Sequence, residues 1–370
     1  MSGPVTTNRD PGRRDALGGA RRVGRVGRVV ILEHGPNPST DIYLRSRLAA
    51  PGMPRATTVD IGREHPADHE LGPAADGSGV FVIICRYITG AWLSALERSR
   101  HGLAGVAYFT DDDLPAILAD ASLPARYRFR IWRRYGRFGR RLSALADEFW
   151  VSTEVLAQRY EHEGAKLVPP LFVPAPRLAR GATDSVRLFY HGTAAHRREI
   201  AWLAGVVAEV QRRRGDTRFE LFGRGAVARL YRDTGRVTVR PPLAWPAFFG
   251  HSAHQQDIGL APLFASAVNA ARAPVKFFDI TRTGAAGLYS DTAPYAGFLR
   301  NGVDGLLLPD DPGTWADAIV ALVGDPERRR QIAAAARARC EAINRAAAPL
   351  PGFEALVPAA GPPGALVGAA

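Results

Sequence analysis

The residues best suited to chemistry gather in one stretch, Asp257–Leu308, and the first of them is Lys276. A short apolar run from Ile258 to Leu260 leads into a loop of small residues, followed by an amphipathic segment carrying Lys276 and Asp279. Further short apolar runs lie at Gly287–Ser290 and Gly305–Leu308. Strand, helix, strand at this spacing is a βαβ unit, whose functional loops lie at the carboxyl ends of its parallel strands. A helix that leaves a loop with one Lys at the junction suits an anion such as a diphosphate. Its free N–H groups and its dipole both favour negative charge there. The plain alternatives are a solvated Lys276 and an Asp279 that merely complements the helix dipole. The basic residues number 48, and only Lys166 and Lys276 are lysines.

Other candidates sit where apolar runs end. His191 and Gly192 follow Val186–Tyr190, at the face where ligands bind in such sheets; a buried, hydrogen-bonded His is the alternative. His34 follows Val29–Leu32 and opens a loop that should face a cleft. Asp111, Asp112 and Asp113 follow Gly105–Phe109, where a group contacting or activating a substrate would lie; a helix N-cap is the alternative. A hard cation needs more oxygen ligands than this acidic run offers, so no metal site is expected. Gly223 and Gly225 flank Arg224 and read as turn glycines that permit positive φ.

Alternating elements must position these residues. Strand-like runs recur at Val80–Ile84, Glu148–Val151, Arg218–Phe222 and Val237–Val239, with helical segments between them, among them Glu199–Arg213 and Trp245–His251. The helix from Arg126 to Leu145 shows one apolar stripe, Tyr127, Ile131, Tyr135, Phe138, Leu142 and Leu145, at steps of three and four. Its other face carries arginines from Arg126 to Arg141. We expect two α/β domains of doubly wound, Rossmann-like type, at 28–170 and 171–345. An Arg/Gly-rich arm at 1–27 and a Pro/Ala-rich tail at 346–370 flank them.

At 370 residues, with 46% hydrophobic and 23% charged side chains, the chain has the composition of a two-domain globular protein. A net charge of +12 points to anionic partners. The arginine face suits an anionic glycan, a lipid-linked acceptor or peripheral membrane contact, or else is an ordinary solvated face. Nucleic acid is not expected, since no recognition motif accompanies the charge. Two cysteines, Cys85 and Cys340, form no disulfide or zinc pattern, so a reducing cytoplasm is the expected location, with the inner face of the membrane as the alternative that the arginine face would allow. No apolar run approaches the roughly 20 residues that span a bilayer.

The second half resembles the C-terminal domain of GT-B glycosyltransferases, in particular the retaining group called family 4 or group 1. The resemblance rests on YHGTAAHRREI at Tyr190–Ile200, LFGRG at Leu221–Gly225, DIGLAPL at Asp257–Leu263, and NAARAPVKFFD at Asn269–Asp279 continuing into GLYSDTAPYAGFLRNGVDGLLL. It implies two domains facing each other across a cleft and a UDP-, GDP- or ADP-sugar donor held by the second. It further implies transfer to an acceptor bound on the first domain, with retention and without a metal. The family's two donor-binding acids stand eight positions apart. Asp279 takes the later place, beside the ribose, and Ala271 replaces the earlier one, with Asn269 and Lys276 as substitutes. Without a metal, the leaving diphosphate must be met by cations and helix N-termini. Lys276, then Arg197 or Arg198, are the cations expected to do so. Arg224 would lie near the nucleotide, and Pro294 and Tyr295 in the loop beside the diphosphate would offer backbone N–H donors. Asp111 and His34 are the acceptor-side candidates.

Overall fold

The computed structural model describes residues 24–121, 123–175, 184–192 and 196–354. Twelve strands among them form two six-stranded sheets. In the first, β1 (Val26–Glu33), β2 (Arg55–Asp60), β3 (Gly79–Cys85), β4 (Leu103–Thr110), β5 (Glu148–Val151) and β6 (Ala165–Leu167) lie in the order β2-β1-β3-β4-β5-β6. In the second are β7 (Val186–Tyr190), β8 (Thr217–Phe222), β9 (Val237–Arg240), β10 (Ile258–Ala261), β11 (Ala286–Ser290) and β12 (Leu306–Leu308). Their order is β12-β11-β10-β7-β8-β9. Every strand pairing within these sheets is parallel. The expected pair of doubly wound domains is what the chain forms.

Each order reverses once, between β1 and β3 and between β7 and β10, and a ligand crevice opens at such a reversal. The central strands explain why the pattern was visible in the sequence. Every residue of β3 and β4 is buried, as in a parallel sheet covered on both faces. By contrast β2, RATTVD, lies at the sheet edge with its first four positions exposed or half-buried, so it offers no apolar run to read.

Two expectations are corrected. The single helix through Leu145 is two helices, Ala125–Arg134 and Gly139–Leu145, separated by a 3₁₀ turn at Gly136–Phe138. Tyr135 leaves helical geometry at φ −135° and ψ −61°, and Gly136 follows where a Cβ would come within 2.9 Å of Leu118 Cδ1. Ile131, Phe138, Leu142 and Leu145 do face inward, so the stripe was real although the helix was not continuous.

The second correction concerns the expected tail. Leu350 and Phe353 are fully buried in the core of the first domain, with Phe353 edge-on to Phe81 at a ring distance of 4.9 Å. Arg47 Nε donates to the carbonyl of Ala348 at 3.3 Å. Two large apolar side chains in a Pro/Ala-rich stretch escape a reading by composition, yet each removes a full side chain's surface from water. Residues 355–370 and residues 1–23 of the expected arm lie outside the described residues, and β1 begins at Val26 within that arm.

The domains also meet along the crevice. Thr153 Oγ1 donates to the carbonyl of Ala271 at 3.0 Å, and Trp245 Nε1 donates to Asp41 Oδ2 at 2.6 Å. The Asn344 side chain holds both the N–H and the carbonyl of Phe172, at 2.9 and 2.7 Å, fixing the described part of the interdomain connection against the last helix.

Candidate active site

The wall from the second domain is built at the end of β7. Chain reversal there brings His191 and Gly192 beside the helix Val275–Arg282. A Cβ on Gly192 would fall 2.4 Å from the Tyr190 ring, so only glycine fits that close approach. Lys276 reaches back from the first turn of its helix: Nζ donates to the His191 carbonyl and lies 2.9 Å from Asp279 Oδ2. Four of the residues expected from the sequence, Lys276, Asp279, His191 and Gly192, are thus one cluster at the β7/β10 reversal.

The His191 side chain is fixed from behind. Its Nε2 lies 3.3 Å from Glu220 Oε1, and His251 Nε2 lies 2.7 Å from the same oxygen. Arg240 Nε donates to Glu220 Oε2 at 2.5 Å. Burial lowers the pKa of His191 and keeps the imidazole neutral. Burial alone would raise the Glu220 carboxyl, but its three donors hold it well below the usual carboxylate range. His191, Glu220 and His251 are the one grouping among the described residues that could hold a metal ion. Both oxygens of Glu220 are already engaged, however, and Arg240 adds positive charge. That donor set suits a brace for His191 better than a cation cage.

Other sequence candidates fall elsewhere. Arg197 and Arg198 begin the helix Arg197–Arg213 and are exposed, Arg198 lying over the Phe264 ring at 5.1 Å. The preceding residues 193–195 lie outside the described residues. Arg224 is exposed on the turn after β8, beside Gly225 at φ +53°. Asn269 spends its side-chain amide on the Phe264 carbonyl, 2.8 Å away, and so braces its own loop.

The expectation for Pro294 and Tyr295 is corrected. Proline has no N–H, and the N–H of Tyr295 donates to the Thr292 carbonyl at 2.8 Å. Tyr295 is buried against Tyr289 with ring centroids 5.0 Å apart. Ala271 holds a further surprise. It is 1% exposed and packs with Val151 and Leu156 of the first domain, so the position of the earlier family acid is an interdomain contact here.

The facing wall comes from the first domain. Arg86 follows β3 at φ +65°, the one non-glycine positive φ among the described residues, a strained conformation of the kind found at functional sites. From there its guanidinium meets Asp111 Oδ1 at 3.2 Å and Asp112 Oδ2 at 2.7 Å. Ser39 Oγ donates to Asp111 Oδ2 at 2.6 Å. Burial raises the pKa of Asp111, against the opposing pull of Arg86. Asp113 does different work. It caps the helix Leu114–Ala119 through the Ala116 N–H at 3.0 Å and accepts from Tyr160 Oη at 2.7 Å and from Arg159. His34, half-buried at the end of β1, has its pKa lowered by burial and then by Arg134.

Arg272 joins the two walls and was not singled out from the sequence. Its Nε lies 3.5 Å from Asp112 Oδ1, and its NH1 3.3 Å from His196 Nε2. Its place in ARAPVKFF, four residues before Lys276, was the available signal, hidden by the abundance of arginine.

No protein-family model and no curated protein matches this chain. Solved structures do. Sucrose-phosphate synthase from Thermosynechococcus elongatus is 13% identical over 89% of this chain and 96% of that one, with a TM-score of 0.54. WaaG, a glycosyltransferase involved in lipopolysaccharide biosynthesis, is 14% identical over 85% and 95%, with a TM-score of 0.53. A TarM variant from S. aureus, in complex with fondaparinux, α-GlcNAc-glycerol and UDP, is 12% identical over 75% and 55%, with a TM-score of 0.51. The chain spans about half the length of TarM. At these identities the likeness establishes the fold, which is GT-B.

Proposed function

We propose that the protein is a glycosyltransferase, moving a sugar from a UDP-, GDP- or ADP-sugar to an acceptor held against the first domain. The observation that carries this reading is the cluster of Lys276, His191 and Gly192 at the β7/β10 reversal, opposite Arg86, Asp111 and Asp112. A cation in the first turn of a helix, at such a reversal, suits a diphosphate.

In the reaction the bond between the anomeric carbon and the diphosphate oxygen breaks, and the acceptor oxygen bonds to that carbon. Negative charge grows on the diphosphate, and Lys276 meets it, steadied by Asp279 and the His191 carbonyl. The acceptor hydroxyl loses its proton. His34, kept neutral, and Asp111, whose proton affinity burial raises, are the groups suited to take it. Asp279 also serves the ribose. Retention of configuration and independence of metal complete the proposal.

A second reading has one observation in its favour. With Ala271 packed against Val151 and Leu156, no acid stands at the earlier donor-binding position, which fits a protein that binds a nucleotide sugar without turnover. One experiment separates the two. The protein is incubated with UDP-, GDP- and ADP-sugars, and thermal stabilisation and release of free nucleotide diphosphate are both read. Stabilisation with release supports transfer, and stabilisation without release, even with acceptors supplied, supports binding alone. No stabilisation by any nucleotide, with Lys276→Ala indistinguishable from wild type, defeats both.

A further inference from the structure

The helix Ala125–Arg134 buries one face and leaves an aromatic pair on the other. Ile131 packs with Leu114 and Ile117, and Tyr127 and Val268 of the second domain join that cluster. The inward face therefore meets the second domain at Val268. Outward, Phe129 is 60% and Trp132 47% exposed, and their rings stack at 5.7 Å. They stand three residues apart, on one helix face. No acidic residue occurs from Ala121 to Ala146, whereas Arg126, Arg128, Arg130, Arg133, Arg134, Arg137, Arg140 and Arg141 all do. Of these, only Arg141 pairs with a carboxylate among the described residues, that of Glu97 at 2.6 Å.

Two large apolar side chains held out into water, on a helix whose arginines meet no carboxylate among the described residues, do not suit a solvated face. A nucleic acid would also meet such charge with its phosphates, but no recognition motif accompanies it. An anionic lipid surface satisfies both features, the rings entering the headgroup boundary and the guanidinium groups meeting lipid phosphates. We propose that this helix docks the protein on an anionic lipid surface, with the mouth of the cleft turned toward it. If the transferase reading holds, the acceptor arrives from that surface.

The test is co-sedimentation of the full chain with phosphatidylglycerol vesicles and with phosphatidylcholine vesicles, across a salt series. No nucleotide sugar is present, so the outcome is independent of the transferase proposal. Binding to phosphatidylglycerol should exceed that to phosphatidylcholine by about tenfold or more and weaken with salt. Phe129→Ser/Trp132→Ser should lower it by about tenfold while leaving the melting temperature unchanged, as should Arg126→Ser/Arg133→Ser. Equal sedimentation of wild type and both double variants overturns the proposal. So does tighter binding to double-stranded DNA than to the vesicles, which would make the surface a polyanion site.

Discussion

Arg272 of the second domain and Asp112 of the first stand 3.5 Å apart across the cleft, with Arg86 holding the other oxygen of the same carboxylate at 2.7 Å. One carboxylate therefore takes charge from both walls. The pair is long at 3.5 Å, and Asp112 keeps Arg86 when Arg272 is removed, so its larger effect should be on alignment. Arg272→Ala is expected to leave the denaturation midpoint nearly unchanged and to slow transfer by about tenfold, measured as initial rates at saturating donor.

In the proposed reaction Lys276 is the cation that meets the leaving diphosphate. Lys276→Ala should lower kcat by roughly 10²–10³, the cost of removing one group that meets developing charge. It should also reduce the thermal shift produced by the preferred nucleotide diphosphate. Lys276→Arg keeps the charge but changes its shape, so calorimetry should find partial retention of nucleotide affinity.

Gly192 tests the shape of the same loop. The added methyl of Gly192→Ala would meet the Tyr190 ring, so something must shift. We expect a loss of about 1–3 kcal/mol in urea denaturation, with nucleotide binding weakened as the His191 carbonyl moves.

The brace behind His191 predicts an acid limb. The folded pKa of His191 is depressed below its ordinary 6.5, so the unfolded chain binds more protons as pH falls below 6.5. The stability from neutral His191 is fully present above that pH and is lost toward the lower folded value. Glu220 is also depressed, from an ordinary 4.5, and its contribution is lost only below that. In melting-temperature profiles, His191→Gln should flatten the curve as pH falls below about 6.5, and Glu220→Gln the part below about pH 4.5.

The chain's end carries a structural prediction. Phe353 is fully buried against Phe81, and Phe353→Ala should cost about 3–5 kcal/mol, read as a lower urea midpoint. Activity at low temperature should survive the change, because the ring packs edge-on to Phe81 in the first-domain core.

Much of this protein could be read before its fold was seen. Central strands such as β3 and β4 are continuous apolar runs, and the ends of β7 and β4 named the site loops at His191 and Asp111. Lys276 and Asp279 stood out because both lie on one short helix. What stayed hidden was of two kinds. Edge strand β2 and the returning Leu350 and Phe353 lack local periodicity, since distant partners decide their burial. Arg86, Arg272 and Glu220 act through contacts across the sheet or the cleft, which no spacing along the chain encodes. The helix break at Tyr135 was a third case, where an apolar stripe continues through a turn without announcing it.

The return of the chain to its first domain sets an order of events during synthesis. Phe81 and Trp150 leave the ribosome early, but Phe353 follows only after the whole second domain has been made. At ordinary translation rates that is a delay of roughly 10–40 s. Until then the first sheet has an open aromatic face, and the nascent protein must be kept from pairing it with a neighbour.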